Sequence, residues 1–298
     1  MKVLLFAANG QLGQELRQQL SALGQLVLTT RSGVLGDGTH CEAADLDQPD
    51  TLCALLDRVR PDLVVNAAAY TAVDRAEGNA DSAWRVNAEA PGVIARWCSA
   101  ARIPMVHYST DYVFNGNCFR PYREDDPTDP ISVYGASKAA GEVAVRSAGG
   151  RHLIFRTAWV YSSHSKNFLR TMLRLGAERT FLRVVADQHG TPTSAAMIAE
   201  VTAQALRHPG NLSGTWHLTA QGSTSWHGFA EAIFTMAVER GLLVHPPVVQ
   251  PIESTEYPTP ARRPMNSCLN VSKLQSDFGI ALPHWEIGLA RVLDQLAG

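Results

Sequence analysis

A Rossmann-type, doubly wound parallel α/β sheet is the fold class this sequence predicts, with a smaller α/β substrate domain built from non-contiguous segments. Three observations carry the prediction. The chain opens on a continuous apolar run, Val3 to Ala7, that passes through a glycine turn into a helical pattern. Further strands read at Leu63 to Ala69, Met105 to Ser109 and Ile154 to Val160, with helical spacing between them. The last third loses that rhythm, and its short runs are separated by loops rich in Gly, Pro and Ser. Strands buried on both faces read as unbroken apolar runs, and their alternation with helices builds a parallel sheet.

Composition sets the outer limits. The chain has 298 residues, 45% of them hydrophobic and 18% charged, with a formal net charge of −2. That describes a water-soluble chain long enough for one large domain or two smaller ones. No basic excess points to nucleic acid or an anionic membrane. The N-terminal apolar run is too short for a secretory signal, and no stretch approaches the roughly 20 apolar residues that span a bilayer. The five cysteines, Cys41, Cys53, Cys98, Cys118 and Cys268, form no C-x-x-C pair. Scattered thiols argue for a reducing cytoplasm and against a zinc site or a disulfide framework.

The elements follow in order. Val3 to Ala7 feeds Ala7-Ala8-Asn9-Gly10-Gln11-Leu12-Gly13 and a helical pattern through Leu16 and Leu20. Strand, glycine turn and helix together predict a dinucleotide site, in which the backbone of Gly10, Gln11, Leu12 and Gly13 approaches a pyrophosphate at a helix N-terminus. Ala7 stands where the first glycine of such a loop would be. A second strand, Leu26 to Thr30, ends in Arg31 rather than in the acid that would hold a ribose diol. An arginine attracts a 2′-phosphate, which predicts NADPH over NADH, with use of both left open. Asp45 and Leu46 close a short strand-like piece (41–44) and are placed to cover an adenine. Helical spacing at 51–59 precedes the next strand, whose end at Ala67, Ala68 and Ala69 is small enough for a flat cofactor to lie across it. Helical patterns at 82–101 and 134–148 flank the strand at 105–109, and a sixth strand covers 154–160. Beyond it, helices are expected at 168–175, 195–206 and 226–240, strands at 181–185 and 216–218, and a long ordered loop at 246–264.

This pattern divides the chain into a cofactor domain, 1–155 with segments near 181–210 and 246–262 returning to it, and a substrate domain of 156–180, 211–245 and 263–298. A cleft is expected between them.

The chemistry gathers at the carboxyl end of the sheet. Thr110 follows the strand at 105–109, and Tyr134 and Lys138 open the next helix one turn apart on one face. Such a set suits hydride transfer to a ketone. Thr110 would hydrogen-bond the carbonyl, Tyr134 would donate the proton, and Lys138 would depress the phenol pKa and hold the nicotinamide ribose.

These residues resemble the extended short-chain dehydrogenase/reductases and, within them, the dTDP-4-dehydrorhamnose reductase family. The resemblance runs along nearly the whole chain. It rests on Gly10 to Gly13, Asn66 to Asp74, His107 to Phe114, Tyr134-Gly135, Lys138, Gly141-Glu142, Phe155 to Thr157 and Trp159 to Tyr161. It continues through Asp187-Gln188, Gly190, Pro192-Thr193, Trp226-His227, Pro258 to Pro260, Arg263-Pro264, Asn266-Ser267 and Leu269-Asn270. It implies NAD(P)H-dependent reduction of the 4-keto group of a dTDP-linked 6-deoxy sugar, yielding dTDP-L-rhamnose for cell-surface polysaccharide. By position, it implies catalysis by Thr110, Tyr134 and Lys138. Thr71, Val73, Asp111, Tyr112 and Trp159 would line the sugar site, and Arg263 would meet the diphosphate. Related nucleotide-sugar dehydratases carry Thr-Asp-Glu, whereas Tyr112 follows Asp111 here, which argues for simple reduction. Some family members dimerise through a divalent metal held by acidic side chains, so the protein is expected to be a monomer or a homodimer. Glu15 and Asp187 are candidates for such a site, and no metal is predicted. Two alternatives stand beside this reading: an epimerase or other ketoreductase on a different nucleotide-sugar, and a non-catalytic regulatory subunit of the methionine adenosyltransferase type.

Overall fold

The computed structural model describes all 298 residues. Strand β1 (Lys2–Phe6) leads through the turn at Ala7 to Gly10 into helix α1 (Gln11–Leu20), and β2 (Gln25–Thr30) and β3 (Glu42–Ala43) follow. Helix α2 (Leu52–Val59) precedes β4 (Leu63–Asn66). The next helical stretch is broken into α3 (Val73–Ala76), α4 (Ala80–Trp84), a π turn over Arg85–Glu89, and α5 (Ala90–Ala101). Strand β5 (Met105–Thr110), helix α6 (Val133–Ser147) and strand β6 (His152–Thr157) complete the regular alternation. The remainder comprises β7 (Val160–Tyr161), α7 (Phe168–Glu178), β8 (Phe181–Val185), β9 (His189–Gly190), β10 (Thr193–Ser194) and α8 (Ala195–Arg207). It ends with β11 (Gly214–His217), β12 (Thr224–Ser225), α9 (Trp226–Glu239), β13 (Val248–Ile252), α10 (Ser272–Phe278) and α11 (Trp285–Ala297).

The seven-stranded central sheet has the order β11-β6-β5-β4-β1-β2-β3 and is parallel throughout. The order reverses on either side of β1 and β4, the topological switch point at which such sheets bind ligands. Alternation along β1 shows how the core is divided. Val3 and Leu5 face Leu16 and Leu20 of α1, Ile198 and Val201 of α8 and, further out, Phe229 and Trp285. Leu4 and Phe6 face Leu52, Leu55 and Leu56 of α2 and Ile94 and Cys98 of α5. Helices therefore cover both sides, as the unbroken apolar strands required.

Three segments lie elsewhere than the sequence suggested. Gly214–His217 pairs with β6 as the edge of the central sheet, although 211–245 was expected in the substrate domain. Strands β8 and β13 pair only with each other, although their segments were expected to return to the cofactor domain. The expected loop at 246–264 thus contains a strand, held by main-chain bonding that side-chain periodicity does not announce. The sixth strand stops at Thr157, because Trp159 takes a left-handed backbone, φ 47°, and turns the chain toward β7.

Candidate active site

The sheet's carboxyl edge and the smaller pieces after β6 enclose a cleft. Its lining brings together Gly10, Gln11, Leu12, Ala67, Ala69, Thr71, Val73, Thr110, Asp111, Tyr112, Tyr134, Lys138 and Trp159, all expected at the site. Six predicted residues lie apart from that lining. Gly13 is buried within α1, and Ala68 packs toward the opposite core. Leu46 is 5% exposed, its side chain in the same core cluster as Phe6. Arg31 and Asp45 pair with each other at 3.5 Å at the ends of β2 and β3. Arg263 donates to Asp74 at 2.8 Å, on a strap beside the cleft.

The phosphate end is shaped by close packing. A Cβ on Gly13 would stand 2.0 Å from the Ala7 carbonyl oxygen, so only glycine lets α1 start this near to β1. Ala7 itself adopts φ 61°, the left-handed conformation that glycine takes most easily. The loop thus keeps its shape without the first glycine, at a strain of about 1–2 kcal/mol. No side chain caps α1 at Gly10, which leaves its first N–H groups free for an anion. Gln11 turns its amide the other way. Its Nε2 donates to the Val160 carbonyl at 3.1 Å, and its Oε1 accepts from Ser162 Oγ and Asn167 Nδ2. This side chain ties the phosphate turn to the 160–167 segment.

Helix α6 delivers the tyrosine and the lysine. Ser132 caps it by accepting from Gly135 N at 3.2 Å. Gly135 is needed because a Cβ there would meet the Tyr112 carbonyl oxygen at 2.2 Å. From the other side, the π turn presents buried Asn87, whose amide joins Tyr70 N (2.8 Å), Tyr70 O (3.2 Å) and Ser137 Oγ (3.0 Å). A π turn aims a side chain that regular helix would aim elsewhere.

Burial dominates the electrostatics. It pushes the Tyr134 phenol up to about 12, with the Thr110 hydroxyl drawing it back and the Asp111 carboxylate pushing it further up. Lys138 is pushed down to about 8 by burial, partly offset by Glu142. Its Nζ donates to the Tyr108 carbonyl oxygen at 2.5 Å. Lys138 thus gives this hydrogen bond to the main chain, and burial keeps the phenol protonated near neutrality. Thr110 Oγ1 donates to Asp111 Oδ1 at 2.9 Å and accepts from Tyr112 N at 3.2 Å. Burial raises Asp111 to about 6, against the pull of the Ser267 and Thr110 hydroxyls. The Tyr112 ring stands edge-on to Tyr134, with centroids 5.8 Å apart. Behind the site, Arg156 grips Glu142 through two 2.8 Å bonds in full burial.

Some lining residues had no prediction attached: Ser165, Lys166, Asn167 and Trp226. Only the fold brings Asn167 and Trp226, at the starts of α7 and α9, to the cleft. Glu15 faces His164 at 3.5 Å, while Asp187 accepts from Ser254 N and Oγ. No group of three His, Cys, Asp or Glu side chains is placed to hold a metal ion. No helix is long and apolar enough to cross a membrane.

Comparison with known proteins agrees with this geometry. The family model described as RmlD substrate binding domain matches residues 1–297. The chain is 48% identical over 294 residues to dTDP-4-dehydrorhamnose reductase of Burkholderia thailandensis, covering 96% of this chain and 95% of that protein. It superposes on the crystal structure of dTDP-4-dehydrorhamnose reductase from Bacillus anthracis in complex with NADP, with TM-score 0.89, 32% identity and 99% of each chain covered. A Clostridium acetobutylicum dTDP-4-dehydrorhamnose reductase structure matches with TM-score 0.90 and 34% identity over the full length of both chains.

Proposed function

The chain belongs to the RmlD substrate binding domain family, and from that premise we propose that its cleft reduces the C4 ketone of dTDP-4-dehydro-β-L-rhamnose to dTDP-L-rhamnose with NADPH. The observation that carries the reading is the convergence of Thr110, Tyr134 and Lys138 in one cleft with an uncapped helix N-terminus. The glycine turn fits a pyrophosphate, and Ala67 and Ala69 leave room for a flat ring above the strand ends. Bound there, NADPH supplies the hydride that reaches the ketone carbon.

The chain's own groups manage the proton. Tyr134, protonated across the neutral range, gives its hydroxyl proton to the ketone oxygen as that oxygen gains charge. The Lys138 ammonium, one turn along α6, stabilises the phenolate left behind. Thr110 holds the oxygen in place, which requires its hydroxyl to exchange Asp111 for the substrate. Thr71, Val73, Asp111, Tyr112 and Trp159 surround the sugar. Arg263 meets the diphosphate by giving up Asp74. At the far edge Arg31 offers its guanidinium to a 2′-phosphate, with Asp45 beside the adenosine. The five free cysteines suit a cytoplasmic enzyme, working as a monomer or a homodimer.

The test supplies dTDP-4-dehydro-6-deoxyglucose with a 3,5-epimerase and follows NADPH oxidation. Turnover by the wild type, with kcat reduced about a hundredfold to ten-thousandfold in Tyr134→Phe, is expected. An inactive wild type overturns the activity, and an unaffected variant overturns the role of Tyr134.

A further inference from the structure

Trp159 is a bulky residue with a left-handed backbone, φ 47°, at the lip of the cleft. A side chain of that size in this conformation is strained, and such strain persists only where neighbours over-determine it. Two neighbours do so here. Trp226, the first residue of α9, lies flat against the Trp159 indole, with centroids 3.5 Å apart and planes 3° from parallel. Gly190 of β9 borders the indole edge, where a Cβ would stand 2.4 Å from Trp159 Cε2. Phe168, the first residue of α7, packs on Trp226 in turn, with centroids 4.7 Å apart. Three aromatic rings thus stand in series, from α7, α9 and the turn after β6, with Trp226 and Trp159 both on the cleft wall.

Resting on the functional reading above, we infer that Trp226 is a positioning residue for sugar recognition. Its ring fixes the Trp159 indole as a flat apolar platform for the C–H face of the keto-sugar, and Gly190 leaves the space that this pose needs. A platform held by stacking loses no side-chain freedom when the sugar arrives, so the contact is realised in full on binding. The effect is confined to the sugar. The nucleotide and the cofactor are held by other elements.

Calorimetry of the NADP-loaded protein tests this with dTDP-L-rhamnose and with dTDP alone, on wild type, Trp226→Ala, Trp226→Phe and Gly190→Ala. In Trp226→Ala and Gly190→Ala, affinity for dTDP-L-rhamnose is expected to fall about fivefold to tenfold, the value of one aromatic contact. Affinity for dTDP and for NADPH stays at the wild-type value, and Trp226→Phe recovers most of the loss. Fluorine NMR on fluorotryptophan-labelled protein, with Trp159 assigned by its own substitution, should show its resonance moved in Trp226→Ala before any ligand is added. Wild-type affinity for dTDP-L-rhamnose in Trp226→Ala overturns the inference, as does an equal loss for dTDP and dTDP-L-rhamnose. A wild type that binds NADPH but not dTDP-L-rhamnose overturns the functional reading instead.

Discussion

Lys138 donates its ammonium to the Tyr108 carbonyl at 2.5 Å rather than to the Tyr134 hydroxyl one helical turn away. Lys138 is buried and Tyr134 half-buried, and the lysine is pushed down from 10.5 to about 8 while the phenol rises to about 12. Near neutrality the phenol thus keeps its proton and the lysine its charge, the states that the proposed proton transfer needs.

The same burial makes Lys138 unfavourable for stability. Its folded pKa lies below its unfolded one, so between pH 8 and 10.5 the unfolded chain binds the extra proton and stability rises with pH. Below pH 8 the full penalty applies, about 3 kcal/mol for the gap between 10.5 and about 8. Lys138→Met removes that penalty and loses a hydrogen bond worth about 1–2 kcal/mol. The variant is expected to be inactive yet about 1–2 kcal/mol more stable in urea at pH 7, with the gain gone above pH 10.5. Wild-type kcat/KM should fall above pH 8. A destabilised Lys138→Met at pH 7 would contradict this account.

Ala7 offers a second stability test. Its left-handed backbone carries strain of about 1–2 kcal/mol, which glycine removes, while glycine adds up to about 1 kcal/mol of unfolded-state entropy. Relief outweighs entropy, so Ala7→Gly should stabilise by about 0.5 kcal/mol, read as a higher urea midpoint. Ala7→Val, β-branched at the same φ, should destabilise by more than 1 kcal/mol, on the order of the αL penalty. Equal midpoints for all three proteins would show that the turn is not strained.

What the sequence made legible follows from how each feature is encoded. Strand β1 is an unbroken apolar run after Lys2, and β4, β5 and β6 are apolar apart from polar residues such as Asn66, His107 and Arg156, because both their faces are buried, and that composition is visible without a structure. Tyr134, Lys138 and Thr110 were found because each sits at the end of such a run or on the helix after it. Strands β7, β9, β10 and β12 have two residues each and carry no periodicity. The partner of Lys138 is a main-chain oxygen, which any residue at position 108 would supply. Trp226 begins α9 and Asn167 caps α7, and the approach of these helices to the cleft is decided by packing on the distant Trp159 in the first case and by the Gln11 amide in the second. Leu46 shows the converse: the motif names it for the adenine, while its packing in the core beneath that edge of the sheet is something only the fold displays.

The proposed role of Arg31 in cofactor choice can be tested against its pairing with Asp45. The arginine side chain is 78% exposed and its 3.5 Å pairing with Asp45 is weak, so a dianionic 2′-phosphate would displace the carboxylate. Arg31→Ala is expected to raise the KM for NADPH about tenfold, as one charge-assisted contact warrants, and to leave that for NADH unchanged. Parallel changes for both cofactors would show that Arg31 does not touch the 2′ position.

Asp74 and Arg263 supply the last test, because their 2.8 Å pair allows two opposite roles. Asp74 lies on α3, just after Thr71, and also accepts from Ala261 N at 3.3 Å. If the pair only ties the strap to α3, removing either partner harms the site alike. If Arg263 exchanges Asp74 for the substrate diphosphate, Asp74 competes with the ligand. Then Arg263→Gln should raise the KM for the dTDP-sugar about tenfold or more, the value of a charged contact to phosphate. Asp74→Asn should leave that KM equal or lower, and the double variant should match Arg263→Gln, since the carboxylate acts only through the guanidinium. An equal rise in KM from Asp74→Asn and Arg263→Gln would instead make the pair a structural tie and remove Arg263 from diphosphate recognition.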